Sequence, residues 1–179
     1  MSDMKSNPPP RGRTPVALRS SAGFTIVEIF LAIVVAAILL AAALPNFVTF
    51  VQNNRLSAQS NEVVAAFQLA RSEALRRGQR VDVCASSDGA SCGGNWNQGW
   101  LVLAAPGTND EEVLRVWPSP GDDFSFEPAS STHGYDRNGF AATGDAQIDL
   151  TLGECSGNNA RRILLENTGR VAVQRIACQ

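Results

Sequence analysis

The 179-residue chain carries 15 basic and 17 acidic side chains, one histidine and four cysteines, a length that fits one globular domain plus an anchor. Beyond Gly23 the balance is 11 basic to 16 acidic, which argues against a generally nucleic-acid-binding surface and leaves room only for a local basic patch. A lone His133, no Cys-x-x-Cys pair, no glycine-rich phosphate loop and no nucleophile elbow point away from a metal, a cofactor and catalysis.

Met1 to Ala22 opens the chain with Pro8-Pro9-Pro10, which forbids helix, and Met4 offers a second start. From Phe24 to Leu44 the only charge is Glu28, and these 21 residues match the roughly 20 that a helix needs to cross a bilayer. That is too long for the apolar region of a signal peptide. Arg11, Arg13 and Arg19 lie just ahead of it, and basic residues flanking a span stay cytoplasmic. The rest of the chain is then expected in the periplasm. A carboxylate at mid-span costs about 2.5–3.5 kcal/mol by insertion scales and less near an end. Glu28 therefore either snorkels to the interface or meets an opposite charge.

The run Gly23-Phe24-Thr25-Ile26-Val27-Glu28 resembles the class III signal of type IV pilins and pseudopilins. The resemblance implies a leader, residues 1–23, cut after Gly23 by a prepilin peptidase, and methylation of the new amine on Phe24. It implies that Glu28 pairs with the N-terminal amine of a neighbouring subunit during assembly. It also implies a bacterial inner-membrane helix over residues 24–44, with Pro45 at the place where the family often carries a helix-kinking proline.

After Pro45 the helix is expected to continue as an amphipathic segment over residues 45–78. Leu56, Val63, Phe67, Ala70 and Ala74 recur on one face, while Arg55, Gln59, Glu62, Glu73 and Arg77 face water or other subunits. Gly78 reads as the stop. From Arg80 the pattern turns to short strands: Val81–Cys84, Trp100–Leu103, Val113–Trp117 and, more weakly, Phe124–Phe126. Ser130 to Gly144 is rich in Gly, Ser, Thr and Asn and reads as a long surface connection. Gln147–Leu152 alternates, and Arg162–Leu165 and Arg170–Val173 flank Asn167-Thr168-Gly169 as a hairpin. One long helix followed by six to eight strands is an α+β pattern, with the helix packed on one antiparallel sheet in a β-rich region over residues 79–179.

The four cysteines, Cys84, Cys92, Cys155 and Cys178, allow three pairings. Outside the cytoplasm disulfides are the default. Proximity favours Cys84–Cys92 and leaves Cys155–Cys178, with four reduced buried thiols as the alternative. Trp96 and Trp100 read as packing residues and Asp88-Gly89 as a turn.

Cys84-Ala85-Ser86-Ser87-Asp88-Gly89, Cys92, Trp96-Asn97-Gln98-Gly99-Trp100, Leu69–Ala74, Thr168-Gly169-Arg170 and Cys178 together resemble the GspH/FimT branch of the pilin superfamily, which includes FimT- and FimU-like minor pilins. The type IV pilin-like fold is implied. So is a non-enzymatic subunit that helps prime or cap a type IV pilus, with the prepilin peptidase, other pilins or pseudopilins and inner-membrane lipid as partners. The alternatives are a pseudopilin of a type II secretion system and a minor pilin that binds DNA for uptake. Some FimT-type pilins bind DNA through Gly-Arg-any-Arg. Here Gly169 and Arg170 match, but Ala172 stands at the fourth position. Arg161, Arg162, Arg170 and Arg175 form the candidate phosphate-holding set, against the simpler reading of a solvated strand face.

Overall fold

The computed structural model describes residues 23–128, 130–153, 155 and 157–178, with residues 42–46 described as backbone only. The expected leader, with Met4, the prolines and its arginines, lies outside the described residues except for Gly23. The chain divides into two units, Met1–Ala43 and Leu44–Gln179.

The helix α1 runs from Ile26 to Arg77. Thr25 caps its start: the Thr25 hydroxyl accepts the Glu28 amide at 3.2 Å and the Thr25 carbonyl accepts the Ile29 amide at 3.1 Å. Gly78 ends it with a φ of +65°, donating its amide to the Ala74 carbonyl at 2.9 Å. The backbone is helical through Pro45, but the expected kink and the end of the expected span, Ala42 to Leu44, fall on residues whose side chains lie outside the description. Among the described residues no helix is long and apolar enough to cross a membrane.

In the first unit every large apolar side chain from Phe24 to Leu40 is exposed. The second unit reverses this. Its stretch of α1 buries Leu56, Val63, Phe67, Ala70 and Ala74, spaced by seven, four, three and four residues so that they share one face, with Ala66 beside Phe67.

Eight strands follow: β1 Val81–Ala85, β2 Gly99–Ala104, β3 Glu112–Pro118, β4 Phe124–Pro128, β5 Thr132–Tyr135, β6 Ala146–Leu152, β7 Ala160–Leu165 and β8 Val171–Ile176. They form two four-stranded antiparallel sheets, in the orders β3-β2-β1-β5 and β4-β6-β7-β8. This corrects the expectation of one sheet. The core-facing residues of both sheets and the buried stripe of α1 make one apolar cluster. A helix stripe this wide covers the inner faces of two sheets rather than one.

The expected surface connection at 130–144 is also corrected, because it contains β5. Its composition looks like a loop, yet His133, Gly134 and Tyr135 are buried. Gly134 pairs with Asp82, whose carboxylate lies over it: a Cβ there would come within 2.1 Å of Asp82 Oδ1. The glycine is therefore a close-approach position inside a strand, not a turn signal. Tyr135 and His133 then complete an aromatic core with Phe67, Trp96, Trp100 and Phe126, at ring separations of 5.6–6.4 Å.

Both expected disulfides form, Cys84–Cys92 and Cys155–Cys178. The first ties down the loop after β1. That loop covers the outer face of the first sheet, where Cys84, Leu101 and Leu103 form a second small core with Val113 against it. Gly89, at the loop tip, approaches so closely that a Cβ would meet Val116 at 3.3 Å.

Candidate functional site

Gly23, Phe24 and Thr25 precede α1 as non-helical chain, and Phe24 is 77% exposed. Glu28 sits in the first turn, where its negative charge complements the helix dipole. Among the described residues it forms no salt bridge. It lies beside the exposed apolar side chains of Phe24, Ile29 and Ile33.

The second unit, called the head below, is cross-linked by polar contacts of known geometry. Asp88 organises the disulfide loop: its Oδ1 accepts the Ala90 and Ser91 amides at 2.9 Å each and the Ser86 hydroxyl at 3.1 Å. These bonds, led by the Ala90 amide, hold the carboxyl far below the usual carboxylate range. The expected Asp88-Gly89 turn is thus an amide-bound carboxylate with Gly89 at a φ of +69°. Asn95 and Gln98 cap the single 3-10 turn Trp96–Gln98 reciprocally, which aims Trp96 into the core. At the end of α1, Glu73 accepts hydrogen bonds from Arg76 and Arg77, and their cations hold its carboxyl down at about 2. Trp117 donates its indole N–H to Glu62 at 2.7 Å and carries the Arg115 guanidinium over its ring at 4.5 Å. Arg55 lies over Phe124 at 5.2 Å and pairs with Asp123 at 3.1 Å.

The four candidate arginines separate into three environments. Arg162, on the outer face of the second sheet, is bound at both ends of its fork by the facing Asp149, at 2.7 and 2.6 Å. Arg161 points the other way and is buried against α1. Arg175 faces it directly across β7 and β8. Arg170 stands in the hairpin turn, with Glu166 3.6 Å away. The turn itself is as expected: the Glu166 amide donates to the Arg170 carbonyl at 2.9 Å, and Gly169 has a φ of +79°. Gly169 packs against the Gly139 carbonyl so closely that a Cβ would lie 2.1 Å from that oxygen. Sequence reasoning missed Arg71, which ties α1 to the same turn by donating to the Thr168 carbonyl at 3.0 Å. Its place in the resemblance, within Leu69–Ala74, was the available signal.

No group of three or more His, Cys, Asp or Glu side chains able to hold a metal ion occurs among the described residues.

Comparison with known proteins adds the following. The family model described as Type II transport protein GspH matches residues 59–169. The crystal structure of the Pseudomonas aeruginosa type IV minor pilin FimU is similar at a TM-score of 0.56 and 18% identity, over 70% of this chain and 92% of that one. A second crystal form of FimU gives 0.53 and 19%, over 66% and 92%. The minor pseudopilin EpsH from the Type 2 Secretion System of Vibrio cholerae gives 0.50 and 11%, over 68% and 97%. No curated protein matches in sequence.

Proposed function

Because this chain belongs to the GspH family, we propose that it is a minor pilin or pseudopilin, cut between Gly23 and Phe24 by a prepilin peptidase, methylated on Phe24 and packed by α1 against other pilins. The observation that carries the reading is the exposed apolar surface from Phe24 to Leu40, on a helix that, among its described residues, buries only the stripe from Leu56 to Ala74 within its own chain. Such a surface needs lipid before assembly and other helices after it. Residues 24–44 are then the inner-membrane segment, and the head is periplasmic, where the two disulfides are at home. Glu28 supplies register: its free carboxylate, inside an otherwise apolar surface, favours the one arrangement that brings a neighbour's N-terminal amine to it.

The similarity to FimU favours a subunit that primes or caps a type IV pilus; the EpsH likeness keeps a type II secretion pseudopilin as the alternative. The geometry does not favour DNA binding by the four arginines as one patch, since Arg162 is engaged by Asp149 and Arg161 is buried.

The test is intact mass and N-terminal sequence of the protein from membranes of its native host, with and without the prepilin peptidase. The expected product begins at methylated Phe24 only when the peptidase is present. An identical uncut chain in both strains would sink the reading.

A further inference from the structure

We propose that Arg161 and Arg175 form an oxyanion site that receives a carboxylate from a neighbouring subunit, an inference that rests on the subunit reading above. The two residues are direct partners across β7 and β8, so their side chains leave the sheet on the same face. Side chains so placed start about 4.5–5.5 Å apart, where like charges destabilise the pair. Arg161 is only 5% exposed, yet the acceptors it reaches are neutral: Asn53 Oδ1 at 3.1 Å and the Ala160 carbonyl at 3.1 Å. Among the described residues no carboxylate pairs with Arg161 or with Arg175. Arg55, Arg77, Arg80 and Arg162 each hold an acidic side chain within 4 Å. Among the described residues Arg71 and Arg115 hold none, but Arg71 donates to the Thr168 carbonyl and Arg115 lies over the Trp117 ring, and neither is buried as Arg161 is. A recessed cation with a second cation over it is a costly arrangement unless an anion completes it. Burial first, and the Arg175 charge second, pull the Arg161 guanidinium below its usual pKa range.

The position of the pair in the sheet bears on the occupant. β8 is the last strand of its sheet, and Val173 and Arg175 on its α1-facing side are exposed, so the approach is from the sheet edge. Arg161 lies one strand in from that edge and is 5% exposed. A carboxylate on a flexible stem reaches it and matches the planar guanidinium fork. A second copy of this chain supplies such groups in excess, since beyond Gly23 it carries 16 acidic against 11 basic side chains.

The first experiment uses the full-length chain in detergent micelles at pH 7 and fixed ionic strength, with acetate replacing chloride as the carboxylate probe. Thermal unfolding is followed by tryptophan fluorescence. Acetate is expected to raise the wild-type midpoint by several degrees. Arg175→Gln should start above wild type in chloride, because the like-charge pair is gone, and should lose most of the acetate response. An equal acetate response in both chains, or none in wild type, overturns the site. A short DNA duplex that reproduces the acetate effect and loses it in Arg175→Gln would assign the site to nucleic acid and overturn the carboxylate assignment. The second experiment follows Arg175→Glu in the native host. It should be cleaved after Gly23 as wild type is, yet be depleted several-fold from the assembled fraction. Assembly at the wild-type level overturns the neighbouring-subunit donor. If wild type itself is not cleaved, the subunit reading is what fails, and the acetate experiment still decides the oxyanion site.

Discussion

Leu31 and Phe67 sit on the same helix, yet Leu31 is 62% exposed and Phe67 is 1% exposed. The stretch around Phe67 is amphipathic, and its partner is carried by the same chain: two sheets that meet its apolar stripe. The stretch around Leu31 is apolar on every side, and no sheet of one chain could cover it all. The contrast teaches that one helical periodicity serves two kinds of burial. A stripe is closed by folding; a fully apolar cylinder is closed only by lipid or by other helices.

That contrast is broken most strongly by removing a ring from the core. Trp96→Ala is expected to cost the head about 3–5 kcal/mol, read as a shift of the urea unfolding midpoint of the full chain in micelles. Leu31→Ala should leave the same transition within about 0.5 kcal/mol. Equal losses from both would mean that the head's stability extends into the apolar half.

Next comes the bridge at the C-terminal edge. Replacing Cys155 and Cys178 together with serine should lower stability by about 2–4 kcal/mol, because the 23-residue separation is then unconstrained in the unfolded chain. Guanidinium unfolding with and without reductant checks it: reductant should still destabilise the variant further through Cys84–Cys92.

The smallest effect sharpens the comparison by pH. His133 is buried among the rings, and desolvation lowers its pKa from 6.5, opposed by the Ser130 backbone and the Asp82 charge. The folded value lies below the unfolded one, so the stability it confers is complete above pH 6.5 and declines as pH falls from there towards the folded value. Each unit in that window costs up to about 1.4 kcal/mol. His133→Phe should flatten the dependence of the unfolding midpoint between pH 7 and 5; an unchanged slope would assign that dependence to the acidic groups.

Much of this was legible in the sequence for a physical reason that differs from residue to residue. The Leu56-to-Ala74 stripe was legible because helix periodicity is local, and all five of its residues are buried. Gly78 and Gly169 were legible because positive φ is a local demand that glycine meets. The strand β5 was not. Its burial comes from pairing with β1, some fifty residues earlier, and from an Asp82 carboxylate that needs a glycine beneath it. The division into two sheets was likewise invisible, since alternation within a strand says which face is apolar and not which strand lies beside it. The four arginines were picked out by charge. Only the register separated Arg162, which meets Asp149, from Arg161, which meets Arg175.

The two disulfides have a mechanical consequence if the chain is pulled from its ends. The Cys155–Cys178 bridge closes over the β7–β8 hairpin, so the end of the chain cannot be peeled off as a free ribbon. Pulled to full extension, the head would stay short by the chain locked within its two loops, with separations of 8 and 23 residues. At about 3.3–3.6 Å per extended residue that is roughly 100 Å of slack withheld from a stretched chain until its thiols are reduced.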